Sequence, residues 1–174
     1  MSKSLFKIVF ATICTVNFFV FSDHFTEQNI AEAAQKVVYN TYHNARYGFT
    51  IQYPKGFKAR QPPTNGDGLE FSNKVCTITA FGHNNIYNEN AKQYYYHFVK
   101  QSIHAKITYE KVTNSFYAVS YKKGNKIFYE YLRLGIESGN TFIITYPANK
   151  QKIYGPIVSH IYNTFKTPYL NEGH

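Results

Sequence analysis

Four β-patterned runs follow one another between Lys106 and Tyr146 with only short turns between them, and no other feature limits the fold as much. The runs are Lys106 to Val112, Ser115 to Lys122, Lys126 to Leu134 and Thr141 to Tyr146. Thr113-Asn114, Lys123-Gly124-Asn125 and Glu137-Ser138-Gly139-Asn140 join them, all rich in turn formers. Connections this short force antiparallel pairing, so the segment is predicted to be a meander. Ile127-Phe128-Tyr129-Glu130-Tyr131-Leu132 is apolar on both parities, which predicts a sheet covered on both faces.

Upstream, Tyr47-Gly48-Phe49-Thr50-Ile51-Gln52-Tyr53 alternates with period two and Pro54 closes it. Lys55-Gly56-Phe57 and Gln61-Pro62-Pro63 are loop signals, and Thr64-Asn65-Gly66-Asp67-Gly68 is a dense turn run. Leu69 to Ser72 forms a short strand. Asn73-Lys74 turns into the strand that holds Cys76 and ends at Gly82. From Asn88 to about His104 the pattern becomes helical. Asn88 is the expected cap, Glu89 suits the first turn, and Ala91, Tyr95, Phe98, Ser102 and Ile103 lie on or near one face. A last helix runs from about Asn149 to Phe165, with Ile153, Ile157, Ile161 and Phe165 as its core stripe. Gly155-Pro156 predicts either a kink there or a true start at Pro156. The tail from Thr167 is expected to fray.

The order is β-β-β-α-β-β-β-β-α. The predicted fold class is α/β of the α+β kind: an antiparallel sheet of about six to seven strands between helices, an α/β/α sandwich.

The N-terminus has a different character. Lys3 and Lys7 give a positive start, and Ile8 to Phe21 is apolar and uncharged. That run is shorter than the roughly 20 residues a spanning helix needs, and Thr12, Thr15 and Asn17 suit lipid poorly. Residues 1–22 therefore read as a secretory signal, cleaved after Val20-Phe21-Ser22. Ala31-Glu32-Ala33 is the alternative site, although Phe25 to Val37 also fits an amphipathic helix. Cys14 is a poor lipidation cysteine, because Ile13 and Ala11 stand where a small residue and Leu are usual. The expected product is exported, periplasmic or secreted, with no stable membrane span. Its parts are an N-terminal helical or extended segment over 23–43, a domain over 44–166 and a tail over 167–174.

Hydrophobic residues make up 44% and aromatics 18% of the chain, enough for a core and too much for disorder. The full chain carries a net charge of +9. Loss of Lys3 and Lys7 leaves about +7, which favours an unknown protein or anionic envelope component as partner. The lysines are scattered singly at turns, a pattern that also serves solubility alone. Nucleic acid is not expected as a partner. One cysteine, Cys76, would survive cleavage, so no intramolecular disulfide is possible; alternating with Ile78 and Ala80, it reads as a buried strand thiol.

Arg46-Tyr47-Gly48-Phe49-Thr50-Ile51-Gln52-Tyr53-Pro54 resembles the opening strand of the PsbP/Mog1-like superfamily. Asn65-Gly66-Asp67-Gly68-Leu69-Glu70-Phe71, Gly82 at the end of the third strand, and Tyr146-Pro147 with the helix to Phe165 are similar to the family as well. The resemblance covers roughly residues 44 to 166 and is greatest to bacterial exported members. It implies a central antiparallel sheet between helices and a non-enzymatic binding or accessory role. The family's roles in photosystem II assembly and in binding a small GTPase have no matching segment here.

Two side-chain groups invite a functional test. Asp67, Glu70 and His83 are a weak polar cluster: neighbouring strands could bring Glu70 and His83 together as an acid/base pair or metal site, as a small secreted hydrolase would need. The bland account has Asp67 holding a turn, Glu70 facing solvent and His83 closing a loop. The second group is Lys92, Tyr94, Tyr96 and Lys100, an aromatic-basic surface on the first helix suited to a partner, anionic lipid or glycan. His97 and His104 lie seven apart rather than at the four-residue spacing of a helical metal pair. No nucleotide, nucleophile-elbow or other cofactor motif occurs, and neither a catalytic residue nor a cofactor is expected.

Overall fold

The computed structural model describes residues 37–173. The expected signal, both cleavage sites, Cys14 and all but the last residue of the expected Phe25–Val37 helix lie outside them.

Nine strands and two helical segments are described. They are β1 (Tyr39–His43), β2 (Thr50–Pro54), β3 (Lys58–Ala59), β4 (Gly68–Ser72), β5 (Thr77–Asn84), β6 (Lys106–Val112), β7 (Phe116–Lys123), β8 (Lys126–Leu134) and β9 (Ser138–Pro147). Helical segment α1 lies between β5 and β6. It begins as α-helix over Ala91–Tyr94, widens to a π-turn over Tyr95–Val99 and tightens to 3-10 over Lys100–Ser102. Helix α2 (Gln151–Thr164) follows β9 after a 3-10 turn.

The meander is present. Strands β6 to β9 pair in sequence, all antiparallel, and β9 then pairs with β5. The seven-stranded order is β3-β4-β5-β9-β8-β7-β6. Between β7 and β8 the turn has two residues, and Gly124 takes φ 60° at its first position, the left-handed value that glycine adopts without strain. The seven strands are not the seven the sequence suggests. The alternating run ending at Pro54 pairs with β1 in a separate two-stranded sheet, and the two-residue β3 takes the remaining place at the sheet edge. Tyr39–His43, read as part of the N-terminal segment, is thus the hairpin partner of β2.

Period-two alternation sorts the side chains into two cores. One face of the large sheet sends Phe71, Ile78, Ala80, Phe142, Ile144 and Tyr131 against Phe49 and Ile51 from the β1–β2 side and against α2. The other face sends Tyr117, Val119, Leu132 and Leu134 against Ala91, Tyr95 and Val99 of α1. The layers are therefore helix, sheet, and helix with hairpin.

Both helices depart from their expected faces. In α2, Ile153 is 58% exposed, and Tyr154, Ile157, Val158 and Ile161 are buried. A strict four-residue stripe drifts off a 3.6-residue helix, so the buried set alternates three- and four-residue steps. Pro156 lies inside α2, which begins at Gln151 and not at the proline. In α1 the cap is Asn90 rather than Asn88. Asn90 and Gln93 form a reciprocal capping box, both bonds 3.0 Å, while Asn88 sits at φ 52° in the preceding loop. The π-turn carries Lys100 N–H to the Tyr95 carbonyl. The wider turn puts Val99 beneath the sheet-facing side and leaves Phe98 40% exposed.

The tail is tied down instead of frayed. The Leu170 carbonyl accepts from the N–H of Glu137 and of Ser138, and Lys166 bridges to Thr50.

Candidate binding surface

On the α1 side of the sheet the register aligns one residue from each of six strands: Glu70, Thr79, Ile143, Glu130, Val119 and Glu110. The three carboxylates in this row have separate surroundings. Glu70 lies 3.5 Å from the Arg60 guanidinium. Glu130, half-buried, accepts a hydrogen bond from the Tyr117 hydroxyl at 2.5 Å. Glu110 accepts from the Tyr95 hydroxyl at 3.0 Å and from Lys100 Nζ at 3.1 and 3.2 Å. Burial raises the Glu130 carboxyl above its ordinary range, and the Tyr117 bond partly offsets this. Burial, then the Glu110 bond, raise the Tyr95 phenol.

The sequence cluster Asp67, Glu70 and His83 is not one site. Asp67 accepts from Arg46 Nη1 at 2.6 Å and from Asn65 Nδ2 at 2.5 Å, holding the loop before β4. Glu70 stands opposite Thr79 on β5, and His83 is four residues further along that strand. Four strand residues span about 13 Å, too far for two side chains to share a proton or a metal. His83 instead packs beneath Tyr94 with no hydrogen-bond partner on either ring nitrogen among the described residues. No group of three or more His, Cys, Asp or Glu among the described residues is disposed to hold a metal ion.

The α1 group divides as helical geometry requires. Lys92, Tyr96 and Lys100 recur every four residues along one side. Lys92 is exposed, Tyr96 is 40% exposed, and Lys100 Nζ lies 5.0 Å from the Tyr96 ring centroid while paired with Glu110. The Lys100 charge is thus engaged by a surface ion pair within the chain. Tyr94 points the other way, half-buried between His83 and Phe98, with ring centroids 5.4 and 5.2 Å away. Tyr95, between them, is fully buried.

The structure adds residues the sequence reading omitted. Ile86 is 73% exposed and Tyr87 59%, and Tyr87 stacks on Phe98 at 4.9 Å. Tyr94, Phe98 and Tyr87 therefore form a continuous aromatic run from the sheet outward. Two consecutive large apolar residues between the turn formers Asn85 and Asn88 are the sequence signal that marks this patch. His97 Nδ1 lies 2.5 Å from Glu89 Oε1, an ion pair when the imidazole is protonated and a local contact rather than half of a metal pair with His104.

No protein-family model matches the chain, and no curated protein matches its sequence. Solved structures do match its fold. The solution structure of cyanobacterial PsbP (CyanoP) from Synechocystis sp. PCC 6803 superposes with a TM-score of 0.58 at 10% identity, over 78% of this chain and 95% of that one. The Saccharomyces cerevisiae Ran-binding protein Mog1p gives 0.56 at 8% identity, over 75% of this chain and 96% of that one. The chain has a PsbP/Mog1-like fold.

Proposed function

We propose that this chain is an exported, non-enzymatic binding or accessory domain, whose contact surface is the aromatic patch around α1. The observation that carries this reading is the exposure of Ile86, Tyr87 and Phe98 on adjoining segments, between 40% and 73% each, with Tyr87 stacked on Phe98. Large apolar side chains grouped in this way mark interaction sites more often than scattered ones do. The fold neighbours support an accessory or binding role without indicating a partner, and the partner named for the yeast protein belongs to that protein. The positive, apolar N-terminus motivates export. Among the described residues no helix is long and apolar enough to cross a membrane.

Affinity capture from an envelope fraction tests the surface. The protein should retain one specific protein at physiological salt, and a Tyr87→Ser/Phe98→Ser variant should lose it. No specific retention, or retention that the variant leaves intact, counts against the reading. Mass spectrometry of the mature N-terminus from fractionated cells tests export separately: a chain beginning at Asp23 or after Ala33 supports it, and an intact Met1 in the cytosol overturns it.

A second reading, a basic module for anionic lipid or glycan, draws on the net charge of +9. It requires binding that collapses as salt rises. The hydrolase reading has lost its geometry, since Glu70 and His83 lie two pleats apart.

A further inference from the structure

Beside the aromatic patch, the β5–α1 loop, the β6–β7 turn, the β8–β9 turn and the C-terminal tail enclose a cleft of about 450 Å³. This is within the size range of small-ligand sites. Five asparagines line it: Asn85, Asn88, Asn90, Asn114 and Asn171.

Their amides fall into two classes. Asn85 is structural: its Nδ2 donates to the Glu89 and Gly135 carbonyls, both at 2.9 Å, and its Oδ1 accepts from Glu89 N–H at 3.2 Å. Asn90 Oδ1 caps α1, and Asn171 Oδ1 accepts from Ile136 N–H at 3.0 Å. These bonds fix the walls. The side-chain amides of Asn88 and Asn114 make no hydrogen bond among the described residues, nor do the amino groups of Asn90 and Asn171. Exposed side chains from three chain segments, the β5–α1 loop, the β6–β7 turn and the tail, thus leave two amide carbonyls and four amino groups unbonded along the cleft.

Charge narrows the ligand. The chain is strongly basic, yet no lysine or arginine lines the cleft, so it is not built to read an anion. Its one ionisable residue is Glu89, whose Oε1 pairs with His97 while Oε2 is buried without a hydrogen-bond partner among the described residues. An uncharged amide offers a donor and an acceptor side by side, the arrangement that adjacent hydroxyls present in return. Leu134, otherwise packed in the core, and Ile136, 69% exposed, give the cleft apolar lining. Apolar lining beside polar amides suits a sugar ring, whose C–H face and hydroxyl edge differ in the same way.

We propose that this cleft binds a neutral saccharide. The test is a titration of the isotope-labelled protein with maltotriose and with triacetylchitotriose, read by amide chemical shifts. At least one sugar should give saturable shifts at residues 85–90, 114–115, 134–136 and 171, with a dissociation constant on the order of a millimolar. An Asn88→Gly/Asn114→Ala variant should weaken binding at least about tenfold at an unaltered thermal midpoint. Glycine is chosen at 88 because it keeps the positive φ. Ile136→Ser is the second variant, also expected to weaken binding, should the first fail to fold. Tyr87→Ser/Phe98→Ser, the variant for the protein-binding patch, should leave sugar binding intact, so the two proposals fail separately. Absence of saturable shifts with both sugars, shifts that map elsewhere, or affinity unchanged in the folded asparagine or isoleucine variant overturns the proposal.

Discussion

The imidazole of His83 on β5 lies against the phenol ring of Tyr94 on α1, with ring centroids 5.4 Å apart and planes 26° from parallel. This stack joins α1 to the sheet near the sheet's end. Behind it, Gly139 leaves room for the ring: a Cβ there would sit 2.8 Å from His83 Cε1 and 2.7 Å from Leu134 Cδ1. Both ring nitrogens lack a hydrogen-bond partner among the described residues.

His83 should make the fold acid-sensitive. Burial holds its pKa below the ordinary 6.5. The folded state therefore resists a proton that the unfolded chain accepts. The stability in question is complete above the ordinary value and is lost as pH falls through it toward the lowered folded pKa. Urea unfolding between about pH 7 and pH 5 should show a declining midpoint, and His83→Phe should flatten the decline. An identical slope in the variant would refute this.

Glu130 should act with the opposite sign. Its carboxyl is raised by burial, so the unfolded chain ionises first as pH rises. Stability is lost from the ordinary carboxyl value upward, until the folded pKa is passed. Glu130→Gln keeps an acceptor for the Tyr117 hydroxyl and removes the buried charge. Its thermal midpoint relative to the parent should rise between acid and neutral pH; a constant difference would contradict the assignment. Tyr117→Phe leaves the carboxylate without its partner and should cost about 1–3 kcal/mol at neutral pH.

Gly82 should not tolerate a side chain. A Cβ at this position would lie 2.2 Å from Cγ of Tyr47, which is 3% exposed and has nowhere to move. Gly82→Ala should cost about 1–3 kcal/mol in urea unfolding. Gly56→Ala, with open space at its Cβ, is the control and should change little.

Cys76 should be inert while the protein is folded. Its side chain is 1% exposed, and burial pushes the thiol up to about 12. Iodoacetamide at mildly alkaline pH should leave the Cys76 peptide unmodified until urea unfolds the chain. Rapid modification of the folded protein would show that the β4–β5 end opens.

How far the site was legible in the sequence varies by residue. The burial of Tyr95 and the division of Tyr94 from Tyr96 follow from helical periodicity. The exposure of Phe98 does not, because a π-turn is a backbone choice that no side-chain pattern announces. Glu70 and His83 both sit on strands that do pair. Their separation depended on register, and a shift of four residues along a strand is invisible without the partner strand. The asparagines of the cleft lie in loops, turns and a helix cap far apart in the chain, and no local pattern brings them together.

The sequence by itself determined the antiparallel meander, the helical segments before and after it, and the inward parity of its strands. Short turns and alternating side chains are local facts, and local physics settles them. Only the tertiary structure decided that β2 leaves the large sheet to pair with β1, that β5 lies beside β9, and that four loops meet around a cleft. Those arrangements depend on which apolar faces bury each other across long chain separations, and composition alone carries no record of that choice.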